Sequence, residues 1–224
     1  MPKAAKVYIG AVITAGTAIA SFALAYWDSK DPIRFCVFLA LFAGAALLKG
    51  RIPGLTGTYS PVFFFVLVGS HALSFSEVVF AAGLAGIVQC TLFVQRYPSP
   101  AQVGFNAANM MIATASAFPL IHGEVHGLTE QPLMILLVLG ASVYYVVNTG
   151  LVSVILTLVE AKPLNNIWRL WCLRSLPYYL VGALITGAAL SAQPQLSMRV
   201  VVMVCPFLLL ATIYYRYWLK SINH

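Results

Sequence analysis

The chain has 224 residues, of which 61% are hydrophobic and only 8% charged, with 13 Lys and Arg against 6 Asp and Glu. A mean hydropathy of +0.89 excludes a water-soluble domain of this size, because the apolar surface left over once a core is filled would aggregate. The net charge of +7 is not that of a nucleic-acid binder, since the basic residues are dispersed between apolar stretches and not gathered into a patch.

Eight apolar stretches follow in chain order: Val7–Trp27, Ile33–Leu48, Pro61–Phe75, Val78–Gln95, Val103–Ile121, Leu133–Val159, Leu176–Ala192 and Ser197–Trp218. A bilayer core needs about 20 apolar residues per helix, and most of these stretches supply them. Val7–Trp27 is too long for a cleaved signal peptide and ends in an aromatic anchor before Asp28, so it reads as the first helix. Pro61–Phe75 is short and opens with proline; it is expected as a short or tilted span. Removing it would leave seven spans and put one terminus outside.

Charge gives the orientation. With the N-terminus inside, Lys3, Lys6, Lys49, Arg51, Arg96, Lys162, Arg169, Arg174, Arg216 and Lys220, ten of the thirteen basic residues, fall on the cytoplasmic side, and only Lys30, Arg34 and Arg199 fall outside. Asp28, Asp31, Glu77, Glu124 and Glu130 lie in outer segments and Glu160 alone inside. Retention of Lys and Arg on the cytoplasmic side is the main determinant of topology. The expectation is an all-α integral membrane protein of a bacterial inner membrane, a polytopic bundle of about eight helices with both termini cytoplasmic. Lys162–Arg174, with Leu164, Ile167, Trp168 and Trp171 on one face, is expected as a short helix lying in the cytoplasmic interface. The longest outer connection, His122–Pro132, is eleven residues, so residues 1–224 form one membrane domain. The two halves share no motifs, which argues against an inverted-repeat transporter.

Polar residues within a span are costly unless they face another helix, so they mark interior faces. Asn106, Asn109 and Ser116 recur at helical spacing in the fifth stretch; Ser142, Tyr145, Thr149, Ser153 and Thr157 form a stripe in the sixth, with Tyr144 and Asn148 beside it. At about 1.5 Å of rise per residue, Gln89, Asn106, Asn109 and Asn148 lie roughly 5–16 Å from the cytoplasmic surface and could share a layer. The plainer reading is interhelical hydrogen bonding, worth about 0.6 kcal/mol each. The sharper one is a polar ligand site, with Gln89, Asn106, Asn109, Tyr145, Asn148 and Thr149 as its candidate residues. Small residues mark close packing: Gly10, Thr14, Thr17 and Ser21 on the first helix, Gly182 and Thr186 on the seventh.

Catalytic signatures are missing. There is no HExxH, GxSxG, P-loop or GxGxxG sequence and no legible Ser/His/Asp set, so the chain is not expected to be an enzyme or to need a cofactor. Cys36, Cys90, Cys172 and Cys205 are scattered without a CxxC pair. His122-x-Glu124-x-His126 has metal-ligating residue types but sits on a Gly-flanked connection, and reads as a solvated loop.

Several phrases carry a resemblance: Arg51-Ile52-Pro53-Gly54 through Gly57-Thr58-Tyr59-Ser60, Phe105-Asn106 with Asn109, Tyr144-Tyr145 with Asn148-Thr149, Trp168-Arg169, Tyr179 with Gly182, and Tyr215-Arg216-Tyr217. From about residue 33 onward the chain resembles the N-terminal multispanning sensor regions of bacterial diguanylate cyclases and HD-GYP phosphodiesterases. The resemblance implies a final helix that continues into a cytoplasmic cyclic-di-GMP output domain. No Gly-Gly pair and no His-Asp pair occurs, so that domain is not within this chain and is expected to follow Lys220, the chain being the sensor portion of a longer protein or a stand-alone relative. The Gly57-Thr58-Tyr59-Ser60 entry is also loosely similar to the substrate-binding subunits of energy-coupling-factor vitamin transporters, which typically have six spans; that reading ranks second, and a purely structural membrane protein third. Expected partners are membrane lipid, a small-molecule ligand and the output domain, with a homodimer left open.

Overall fold

Helix starts are set by side chains that take up the free N–H groups of a first turn. Asp31 accepts the backbone N–H of Arg34 at the start of α2 (Pro32–Leu47), where Pro32 occupies a position that has no N–H bond to lose. Ser74 and Glu77 form a capping box at the start of α4 (Phe75–Thr91), and Ser99 and Gln102 form a second at the start of α5 (Pro100–Ile121). The other helices among the described residues are α1 (Lys3–Ala25), α3 (Val62–Ala72), α6 (Leu133–Glu160) and α7 (Leu173–Ala192). This computed structural model describes residues 1–48, 50–51, 58–59, 61–92, 98–125, 127–160 and 173–192. Among the described residues the only β pairing is a two-residue antiparallel bridge, β1 (Gly50–Arg51) against β2 (Thr58–Tyr59). The architecture is all-helical.

Among the described residues two helices, Lys3–Ala25 and Leu133–Val159, are long and apolar enough to cross a membrane; Pro32–Leu47, Val62–Ala72, Phe75–Thr91 and Leu176–Ser191 are apolar but shorter. The helices α1, α5 and α7 begin about a turn before the apolar stretches that mark them, because a first turn such as Lys3–Lys6 is helical without being apolar. The expected eighth stretch, Ser197–Trp218, and the expected interfacial helix as far as Cys172 lie outside the described residues.

At the centre stands α3. Its 11 residues rise only about 16 Å, half of a bilayer core, and its Val62, Phe63, Phe65, Val66, Leu67 and Val68 are all buried among α2, α4, α5, α6 and α7. A helix this enclosed must have its terminal carbonyls satisfied from outside. Leu73 N–H donates to Gly69 O at 2.8 Å, His122 bonds Ser70 O through Nε2 at 2.5 Å, and Arg34 Nη1 donates to Ala72 O at 3.3 Å. Of the stretch Pro61–Phe75, expected as a short or tilted span, Val62–Ala72 is a short helix enclosed by protein, and Phe75 already opens α4.

Small side chains let helices approach closely. A Cβ on Gly86 of α4 would lie 2.8 Å from the Asn106 carbonyl oxygen and 2.9 Å from Ala107 Cα on α5. On Gly16 of α1 it would lie 2.4 Å from Ala108 Cβ. The expected small face of α1 is not the one that packs: nothing lies within 4 Å of a Cβ on Gly10, and Thr14, Thr17 and Ser21 are exposed. The buried stripe is Ala5, Ile9, Val12, Gly16 and Ala23. On α7 the expected positions do pack, with Gly182 against Phe64 and Phe63 and Thr186 buried.

Candidate functional site

Asn106 and Asn109 stand one turn apart on α5 and reach different neighbours. Asn106 Nδ2 donates to Cys90 Sγ on α4, an approach set by the glycine at position 86 one turn earlier. Asn109 Nδ2 donates to Asn148 Oδ1 on α6 at 2.5 Å. Asn109 is only 3% exposed, and its own Oδ1 has no hydrogen-bond partner. An unsatisfied buried acceptor of this kind costs about 1–3 kcal/mol, which a donor brought into the site would recover. Gln89, half-buried, precedes Cys90 on the same turn of α4. Amides and a thiol carry no formal charge, so this layer offers neutral hydrogen-bonding groups only.

The structure brings Asn109 and Asn148 together, and Asn106 to the residue beside Gln89. Tyr145 and Thr149 are buried, but the contacts that define them run elsewhere: the Thr149 hydroxyl donates to Tyr145 O of its own helix at 2.6 Å, and the Tyr145 ring lies 4.8 Å from that of Tyr179 on α7. Other members of the expected polar faces likewise turn back on their own helices, Ser116 to Ile112 O, Ser142 to Val138 O and Thr157 to Ser153 O. These hydroxyls satisfy themselves and do not bridge helices.

An aromatic cluster absent from the sequence reading as a unit adjoins the layer. Phe63 of α3 lies 4.4 Å from Tyr179 and 5.6 Å from Tyr144, and Phe64 meets Tyr178 edge-on at 5.6 Å. Tyr144, fully buried, donates its hydroxyl to Met110 Sδ of α5 at 3.3 Å. The readable signal was the pair Tyr178-Tyr179 just after Pro177: two hydroxyl-bearing rings early in an apolar helix need partners. Cys90 as the partner of Asn106 carried no such signal.

A second polar cluster sits at the α3–α4 turn. Glu77, 4% exposed, accepts the Ser29 hydroxyl at 2.7 Å and the Ser74 N–H at 3.0 Å, and Ser76 Oγ donates to Tyr26 O at 3.0 Å. These bonds pin the α1–α2 connection to the turn. Between that connection and the end of α5 opens a cleft of about 520 Å³. His122 stacks on Phe118 there with ring centroids 4.2 Å apart, while His126 lies outside the described residues. No group of three or more His, Cys, Asp or Glu suited to a metal ion occurs among the described residues. Comparison of the chain with protein-family models, curated proteins and solved structures returns no match.

Proposed function

We propose that this chain is a multi-pass sensory domain of a bacterial inner membrane. In this reading about eight helices, with both termini cytoplasmic, bind a small or lipophilic ligand and pass a shift through the final helix to a cyclic-di-GMP output domain after Lys220. The membrane setting is supported by the outward positions of the helices, which carry Val7 (73% exposed), Ile33 (78%), Phe80, Val146 and Ile185; such a surface is stable against lipid and not against water. The charge asymmetry of the sequence supports the orientation.

The observation that carries ligand sensing is the buried, unpartnered Asn109 Oδ1 beside Asn148. A ligand shifts a bundle only through unequal affinity for two packings. One donor to Asn109, worth about 1–3 kcal/mol, matches the usual size of allosteric coupling. The route outward is physical: Tyr145 lies one turn from Asn148 and its ring meets Tyr179, which belongs to the helix leading toward the C-terminal segment.

The test is a diguanylate cyclase fused after Lys220, with cellular cyclic-di-GMP read for the native sequence and for Asn109→Leu and Asn148→Leu at equal expression. The expected result is output altered by both substitutions. Uptake of a radiolabelled vitamin with an energising partner, together with an unresponsive fused cyclase, would overturn the proposal in favour of a transport subunit.

A further inference from the structure

The cleft at the end of α5 is unlike the rest of the molecule in two respects. Its wall is a run of rings in mutual contact: Tyr26 to Phe22 at 4.7 Å, Phe22 to Phe75 at 6.1 Å, and Phe75 to Phe118 at 5.3 Å, the last two edge-on. Its polar rim carries the carboxylates of Asp28 and Glu124 and, among the described lining residues, no Lys or Arg, although the chain as a whole is at +7. His122, which also lines it, is engaged through Nε2 with Ser70 O and by stacking with Phe118.

From this combination we infer that the cleft binds an organic ammonium group. Ring faces are the negative pole of the aromatic quadrupole and attract a cation that sheds its water easily, which a substituted ammonium does and a metal ion does not. Two carboxylates at the rim add attraction for a positive charge and repel an anion. A volume of about 520 Å³ falls in the range of sites that enclose a small molecule. Phe22 on the lipid-length helix α1 and Tyr26 just after its end are both exposed, so a cation carried on a lipid headgroup and a free one would reach the cleft alike. The inference stands on the cleft alone and needs no output domain.

The experiment uses the intact chain in nanodiscs of phosphatidylglycerol, titrated with choline and with its neutral tert-butyl isostere while tyrosine and tryptophan fluorescence and melting temperature are followed. Choline is expected to bind at least about tenfold more tightly than the isostere. Asp28→Asn with Glu124→Gln should narrow the preference for choline over the isostere without abolishing it, since the ring wall remains, and Phe22→Leu should weaken choline about tenfold. None of these three exposed positions belongs to the core, and circular dichroism checks that the variants fold. Repeating the titration in phosphatidylcholine discs separates the sources: loss of the choline response there means that the headgroup occupies the cleft, and its persistence means a free cation. Equal affinity for choline and the isostere, or no saturable binding of choline in phosphatidylglycerol, overturns the inference. Either result leaves the sensory reading standing, because that reading is measured on the fused cyclase and rests on Asn109.

Discussion

Replacing Gly16 by Ala should destabilise this protein even though the same change elsewhere on α1 should stabilise it. An alanine Cβ at Gly16 would sit 2.4 Å from Ala108 Cβ and 2.6 Å from Ala108 Cα. Carbon atoms in contact prefer about 3.5–4.0 Å, so α1 must move away by more than about 1 Å or bend. Neither neighbour can yield by rotating, because one contact atom is backbone and the other has no rotamer. Overpacking of this kind costs about 1–3 kcal/mol, against about 1 kcal/mol gained from the better helix propensity of alanine. The net expectation is a loss of up to about 2 kcal/mol. Gly10, with nothing within 4 Å of its would-be Cβ, provides the control: Gly10→Ala should gain about 1 kcal/mol. Unfolding in mixed micelles of graded denaturing detergent, followed by circular dichroism, measures both. The double variant Gly16→Ala with Ala108→Gly removes the Cβ–Cβ overlap but leaves the 2.6 Å approach to the Cα of residue 108, so it should recover only part of the loss, a coupling of about 1 kcal/mol. Equal stabilisation by Gly10→Ala and Gly16→Ala, or additivity of Gly16→Ala with Ala108→Gly, would refute the argument.

Three further outcomes are expected. Glu77→Gln leaves one acceptor where two donors converge, so stability should fall by about 1–3 kcal/mol and amide exchange should accelerate at Ser74, whose N–H the carboxylate accepts; an unchanged exchange rate there would mean that the carboxylate does not anchor the turn. Asn148→Leu alone strands the buried Asn109 amide and should cost more than Asn109→Leu with Asn148→Leu together, the difference being about 1 kcal/mol in thermal melts; a double variant less stable than the single one contradicts the pairing. Reporter fusions at His224 should read as cytoplasmic, and a periplasmic reading would mean that the number of spans is odd.

How far the sequence reached depended on whether an interaction was local. The capping box of α4 is legible as Ser74-x-x-Glu77, because both partners lie within one turn. The meeting of Asn109 with Asn148 was legible too, since a constant rise converts position into depth and both fall in one layer. The face of α1 was misread: small residues at Gly10, Thr14, Thr17 and Ser21 satisfy the spacing for close packing, but the choice was made by Gly16 falling opposite Ala108, ninety-odd residues away. The stripe on α6 was legible as an interior face, with Tyr145, Thr149 and Ser153 buried, but not the partners of its hydroxyls, as a threonine bonding its own helix and one bonding a neighbour look alike in a sequence. The cleft drew on three separate segments, and no spacing rule links Phe22, Phe75 and Phe118.

The glycine contacts between α4 and α5 have a mechanical consequence. Where Gly86 lies against the Asn106 carbonyl and Ala107 Cα, backbone meshes with backbone like teeth, and neither helix can roll or slide without lifting off the other; one turn away Gly83 makes room for the Met111 side chain. The contacts of α3 with α7 run instead through side-chain rings, Phe63 tilted against Tyr179 and Phe64 edge-on to Tyr178. On that contrast α4 and α5 are expected to move as one body, and any change of tilt to fall between α3 and α7. Crosslinks that freeze α4 to α5 should leave any motion intact, while one across Phe64 and Tyr178 should arrest it.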